Sequence, residues 1–335
     1  MSTRYACVLV LSSFMLPALA QTTTAQAGTA EPEAAPATVV IEGRRPGPGV
    51  WKVAKGEHVM WVFGTYSPLP QKMEWDSARI ERLVTRSQEV LLPPTASAHV
   101  GFFRGVTLLP SLIGIKKNPD GAALHDVVPA DVYARWTVLK TKYIGSDDSV
   151  ERYRPMFAGE ELMRAGWKKN SLEYGGVVLG TIEGIAKKNK VKVSQSGYEM
   201  TLEDPRKLIK DFKKSQVNDV ACFTKTLDTL EGDIDTMRQR ANAWANGNID
   251  EIRNVNYLER EDTCTDAILN SSVAKSAAEF QDMRTRLRDA WLKTAEKSLA
   301  DNTSTFAILQ MKDILAPDGY LAALQARGYN VESPK

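Results

Sequence analysis

Residues 59–63, Val-Met-Trp-Val-Phe, form an unbroken apolar run rich in β-formers. That is the pattern of a short strand buried inside a sheet. Gly64 ends the run, and Thr65, Tyr66, Ser67 and a Pro68-Leu69-Pro70 turn follow. Ligands of open α/β sheets bind in the crevice outside the carboxyl ends of the strands. Gly64, Thr65, Tyr66 and Ser67 are therefore the expected ligand cleft. Comparable runs at 89–92, 191–195 and 305–309 predict further core strands. Helical periods at 76–89, 129–143, 149–165 and 172–189 lie between them. The expectation is an α/β fold, a β-sheet core flanked by helices. Residues 218–299 read as almost wholly helical, so the C-terminal half is expected to be largely helical. Residues 101–115, GFFRGVTLLPSLIGI, read as a loop or short helix over the core. A helix at 318–326 and a short strand at 329–331 close the chain.

The amino end has a different character. Arg4 precedes an apolar core at residues 6–16, and Ala18-Leu19-Ala20 stands before Gln21. This is the pattern of a secretory signal cut after Ala20, which predicts a periplasmic or secreted protein. The apolar run is short for a membrane span. Residues 21–45 are rich in Ala, Thr, Pro and Glu and are expected to be a disordered linker. The predicted folded domain covers 46–333, with 218–299 as a helical insertion or layer.

Forty-three Lys and Arg residues balance 41 Asp and Glu. Without a basic stripe carrying interleaved aromatics, nucleic acid is not an expected partner. Cys7 lies within the predicted signal, which leaves Cys222 and Cys264. An even pair in an exported chain reads as one disulfide. Three histidines, His58, His99 and His125, stand alone, without metal-ligand spacing.

The opening Trp51-Lys52-Val53 strand with its Gly-Thr turn and Leu69-Pro70, and the closing Ala326-Arg327-Gly328-Tyr329, resemble the TraB/GumN family. The resemblance implies a TraB/GumN-like sheet and a metal site built from two G-x-x-His turns and an acidic strand end. Here Ser67 stands at the first His, Pro93-Pro94 at the acidic strand end, Gln310 at the second Gly and Asp313 at the second His. Glu203 is the retained acidic match, although Asp204 and Pro205 beside it also form a natural helix start.

These replacements remove the ligands that a hydrolytic metal needs. No metal or other cofactor is therefore expected. The favoured expectation is a non-catalytic exported protein that binds a peptide, glycan or partner protein through the degenerate cleft. The alternative is a hydrolase with an altered site using Ser67, Glu203 and Asp313.

Overall fold

The computed structural model describes residues 47–334 except 100–101, 175, 216, 233 and 254–258. The predicted signal and linker lie outside the described residues. The strands are β1 (Val50–Lys55), β2 (His58–Thr65), β3 (Leu69–Pro70), β4 (Glu89–Leu91), β5 (Thr95–His99), β6 (Leu172–Glu173), β7 (Lys192–Ser194), β8 (Gly197–Thr201), β9 (Ser304–Gln310) and β10 (Asn330–Glu332). The helices of the first half are α1 (Ser77–Thr85), α2 (Phe102–Leu112), α3 (Leu124–Val127), α4 (Ala130–Tyr143), α5 (Pro155–Lys169), α6 (Gly176–Lys188) and α7 (Pro205–Lys214). Those of the second half are α8 (Val220–Gly232), α9 (Ile234–Ala245), α10 (Ile249–Arg253), α11 (Glu259–Leu269), α12 (Ser272–Ser276), α13 (Met283–Asp301), α14 (Met311–Leu315) and α15 (Tyr320–Ala326).

Among the described residues, the main sheet has the order β10-β1-β2-β9-β4-β7. β1 runs antiparallel to β10 and β2, whereas β2, β9, β4 and β7 run parallel. The fold is thus α/β with a mixed sheet, as the apolar runs predict. Thr305, Phe306, Ala307, Ile308 and Leu309 are all completely buried. Such a run requires cover on both faces, the usual state of an inner parallel strand. α1 and α6 pack on each other, and α13 lies against β2 and β9.

Several boundaries differ from the sequence reading. Residues 101–115 hold a true helix, α2, with Pro110 inside its last turn. The predicted helix over 172–189 begins only at Gly176, because Leu172 and Glu173 pair with Pro70 and Leu69 as an antiparallel bridge. The predicted helix over 149–165 is a 3-10 turn, Ser149–Arg152, followed by α5. A second parallel pair, β5 with β8, continues the paths of β4 and β7 beyond Pro93-Pro94 and Gln195-Ser196.

The helices of 218–299 divide between two hydrophobic cores. Trp244, Trp291, Leu292, Ala295 and Leu299 pack with the sheet. Phe223, Leu227 and Leu230 of α8 pack instead with Trp136, Leu162 and Trp167 of α4 and α5. The sulfurs of Cys222 and Cys264 lie 2.09 Å apart, at bonding distance, and tie α8 to α11. In the same layer Arg154 is buried and donates to the carbonyls of Phe212, Lys213 and Ser215 at the end of α7. A guanidinium there satisfies the last carbonyls and complements the helix dipole. Burial pushes the Arg154 pKa down, opposed by the charge of Asp219. Burial likewise pushes the Asp219 carboxyl up, while the amide of Met156, 2.8 Å away, favours its ionised form.

Candidate functional site

β2 and β9 are parallel neighbours in register, with Gly64 opposite Leu309 and Thr65 opposite Gln310. The turns carrying Ser67 and Asp313 thus leave the same end of adjacent strands. Thr65 ties the two ends together, its Oγ1 donating to the Leu309 carbonyl at 3.2 Å. The sequence expectation of one shared strand-end region for these two turns rests on this register.

The cleft position itself is packed. Trp244, from α9, donates its Nε1 proton to the Gly64 carbonyl oxygen at 2.7 Å. A Cβ added to Gly64 would lie 2.8 Å from Cε of Met311 and 3.2 Å from Cδ1 of Ile314. Both residues belong to α14, which turns back over the strand end as soon as β9 finishes. Trp75, Trp244 and Phe306 surround the Phe63 ring with centroids about 6 Å apart. Tyr66 is buried as well. The Ser67 Oγ is enclosed and makes no hydrogen bond among the described residues.

Asp313 occupies the first turn of α14. Its charge reaches Tyr320, whose phenol is pushed up first by burial and then by Asp313, with Arg288 opposing. Arg288 donates to the carbonyl of Asp318 at 3.2 Å, and its Nε is enclosed with no hydrogen-bond partner among the described residues. Gly319 is required at the same corner, since a Cβ there would stand 2.3 Å from the Asp313 carbonyl oxygen. Arg288 and Tyr320 were not singled out in the sequence. Their approach to Asp313 depends on α15 packing against both α13 and α14, which no local pattern signals.

Glu203 follows a strand of a different sheet. It is exposed just past β8, in the second sheet rather than beside β2. Next to it, Asp204 caps α7 by accepting from the Lys207 amide at 2.9 Å, with Pro205 at the first helical position. Pro93 lends its carbonyl to the Gln195 side chain at 2.7 Å. The bend is tight enough that a Cβ at position 197 would meet the Thr95 carbonyl oxygen at 2.1 Å, so Gly197 is obligatory.

The histidines stand apart from one another. His58 begins β2, its Nδ1 2.8 Å from the Asn302 carbonyl. His125 is exposed beside Asp126 and Tyr133. His99 pairs through its backbone with Thr201 in the second sheet.

A polar network missed in the sequence sits at the opposite, amino end of the parallel strands. Glu89 is 4% exposed and receives hydrogen bonds from Ser194, Lys192 and Asn302. Burial alone would raise its pKa, but those donors together outweigh it and lower the carboxyl to about 2. The network holds β4, β7 and the start of β9 in register.

A divalent metal does not fit the strand-end groups. Ser67 offers one enclosed hydroxyl, Pro93 has no donor side chain, and the Gly64 carbonyl is already engaged by Trp244. Asp313 remains as one carboxylate where a metal needs several converging ligands. Among the described residues, no three His, Cys, Asp or Glu side chains gather into a possible metal set. No described helix is long and apolar enough to cross a membrane. No curated protein and no solved structure matches the chain. A family model does match, over residues 49–333, spanning both the β2 and β9 strand ends described above, and the chain belongs to the TraB/PrgY/gumN family.

Proposed function

We propose that the protein is an exported, non-catalytic member of this family that binds a peptide, glycan or partner protein at the carboxyl-end face of its sheet. The observation that carries this reading is the plugging of Gly64. Its carbonyl is engaged by Trp244 and its α-carbon is covered by Met311 and Ile314. A reacting group would need that space and that polarity. The amino-terminal pattern, an apolar core closed by Ala-Leu-Ala before Gln21, supports export to the periplasm or medium. The Cys222–Cys264 pair at bonding distance supports an oxidising compartment.

The hydrolase alternative needs Ser67, Glu203 and Asp313 to act together. Among the described residues Ser67 has no hydrogen-bonded base, and Glu203 is exposed past a strand of another sheet. Nucleophilic catalysis requires that base within hydrogen-bond reach, so the binding reading is favoured.

The test is elemental analysis of protein purified without chelator, with a peptidase assay in added Mn²⁺, Co²⁺ or Zn²⁺. The expected result is no bound equivalent and no cleavage. Peptide and glycan arrays probed with the same protein then identify the bound class. One equivalent of metal that is lost on Asp313→Ala, together with cleavage, overturns the proposal.

A further inference from the structure

Leu109, Leu112 and Ile113 are 61%, 41% and 76% exposed. Leu109 and Leu112, three positions apart, share one face at the end of α2, and Ile113 opens the turn that follows, while Leu108 on another face is buried. Large apolar side chains exposed as a contiguous set mark an interaction surface. α2 packs against α7, with Arg206 donating to the Thr107 carbonyl at 3.3 Å. α7 turns Phe212 toward the body, against Phe157 and Arg154. Its opposite side exposes Arg206, Lys207, Lys210 and Lys214.

The acidic groups around this surface are largely occupied. Asp211 pairs with Lys207 at 2.6 Å, Glu161 with Lys116 at 2.8 Å, and Asp204 caps α7. Glu203 is an exposed carboxylate just before α7. An apolar helix edge beside a row of cations is the composition of an interfacial membrane contact. The apolar residues enter the acyl boundary and the cations meet anionic headgroups.

We propose that the α2–α7 face docks on an anionic lipid surface, with Leu109, Leu112 and Ile113 inserted and Lys210 and Lys214 against the headgroups. Charge selects lipid over the other occupants. A second copy of the chain would set this cationic row near its own like charges, whereas an anionic bilayer complements it. This contact is independent of the strand-end binding reading and uses none of its residues.

The experiment is flotation of the full chain with vesicles of phosphatidylcholine mixed with phosphatidylglycerol, against vesicles of phosphatidylcholine alone. The amino-terminal residues are the same in every variant, so differences belong to the substitutions. The wild-type chain should favour the anionic vesicles, and added salt should weaken that binding. Lys210→Glu/Lys214→Glu should lower anionic binding by roughly tenfold or more. Leu109→Ser/Ile113→Ser should lower it too, while keeping the wild-type unfolding midpoint. The proposal is overturned if neither double variant changes vesicle binding, or if the wild-type chain ignores lipid charge. It is equally overturned if the face instead drives self-association that Leu109→Ser/Ile113→Ser abolishes.

Discussion

The indole nitrogen of Trp244 lies 2.7 Å from the carbonyl oxygen of Gly64, across 180 positions of sequence. A helix outside the parallel strands thus seals the strand end at which a ligand of this fold class would sit. The hydrogen bond is buried, so removing the donor leaves a carbonyl that neither water nor another group replaces. Trp244→Phe should cost about 1–3 kcal/mol, read as a lower urea midpoint with an unchanged slope. A midpoint equal to wild type would mean that the carbonyl finds water, and the plug would then be open.

The disulfide should act on one core more than the other. Cys222 belongs to α8, whose neighbours Phe223, Leu227 and Leu230 pack with α4 and α5 rather than with the sheet. The bond closes a loop of 42 residues, for which the chain-entropy argument gives about 4 kcal/mol. Reduction, or Cys222→Ser/Cys264→Ser, should loosen the helical layer first. Hydrogen exchange should rise in α5 and α8 while β2 and β9 stay protected. Uniform loss of protection across both cores would show that the two layers unfold as one unit.

Acid stability should depend on Glu89. Its folded pKa is about 2 against an ordinary 4.5. A carboxyl lowered in the folded state adds stability above its unfolded value, and that stability is lost as the pH falls through the folded one. The contribution is therefore complete above about pH 4.5 and disappears toward pH 2, at most about 3 kcal/mol. Glu89→Gln should flatten the stability–pH curve across that window, with urea midpoints measured at several pH values. A curve as steep as wild type would place the acid sensitivity in other carboxylates.

How much of this was readable in advance depended on whether the signal was local. β2, β4 and β9 announce themselves because apolar runs are what buried parallel strands require, whereas the expected core strand at 191–195 is β7, a largely exposed Lys-Val-Ser at the sheet edge. β5 and β8 do not, because Thr-Ala-Ser-Ala-His and Gly-Tyr-Glu-Met-Thr carry no such run. Gly197 permits that pairing through a backbone approach, and sequence alone cannot show which backbone it meets. Cys222 and Cys264 were readable as a pair by arithmetic. Ser67, Asp313 and Glu203 could be named from the family resemblance, but not their surroundings. The sheet order puts the first two at neighbouring strand ends and Glu203 past a different sheet. Glu89 and Trp244 were silent because their partners lie 105 and 180 residues away.

The last prediction concerns Gly64 itself. If the strand end were an open cleft, a methyl group at position 64 would meet nothing and cost little. Instead it would approach Met311 Cε to 2.8 Å, Met311 Sδ to 3.1 Å and Ile314 Cδ1 to 3.2 Å. Met311 has a flexible side chain, but it is 1% exposed and has little room to swing away. Gly64→Ala should therefore destabilise by about 1–3 kcal/mol through overpacking. Met311→Ala alone should cost about 2–5 kcal/mol through the cavity it leaves. The double variant places the new methyl beside that cavity, so its cost should fall short of the sum by at least about 0.5 kcal/mol. A urea double-mutant cycle measures the difference. Strict additivity would mean that Met311 does not cover Gly64, and the non-catalytic reading would then lose the observation that carries it.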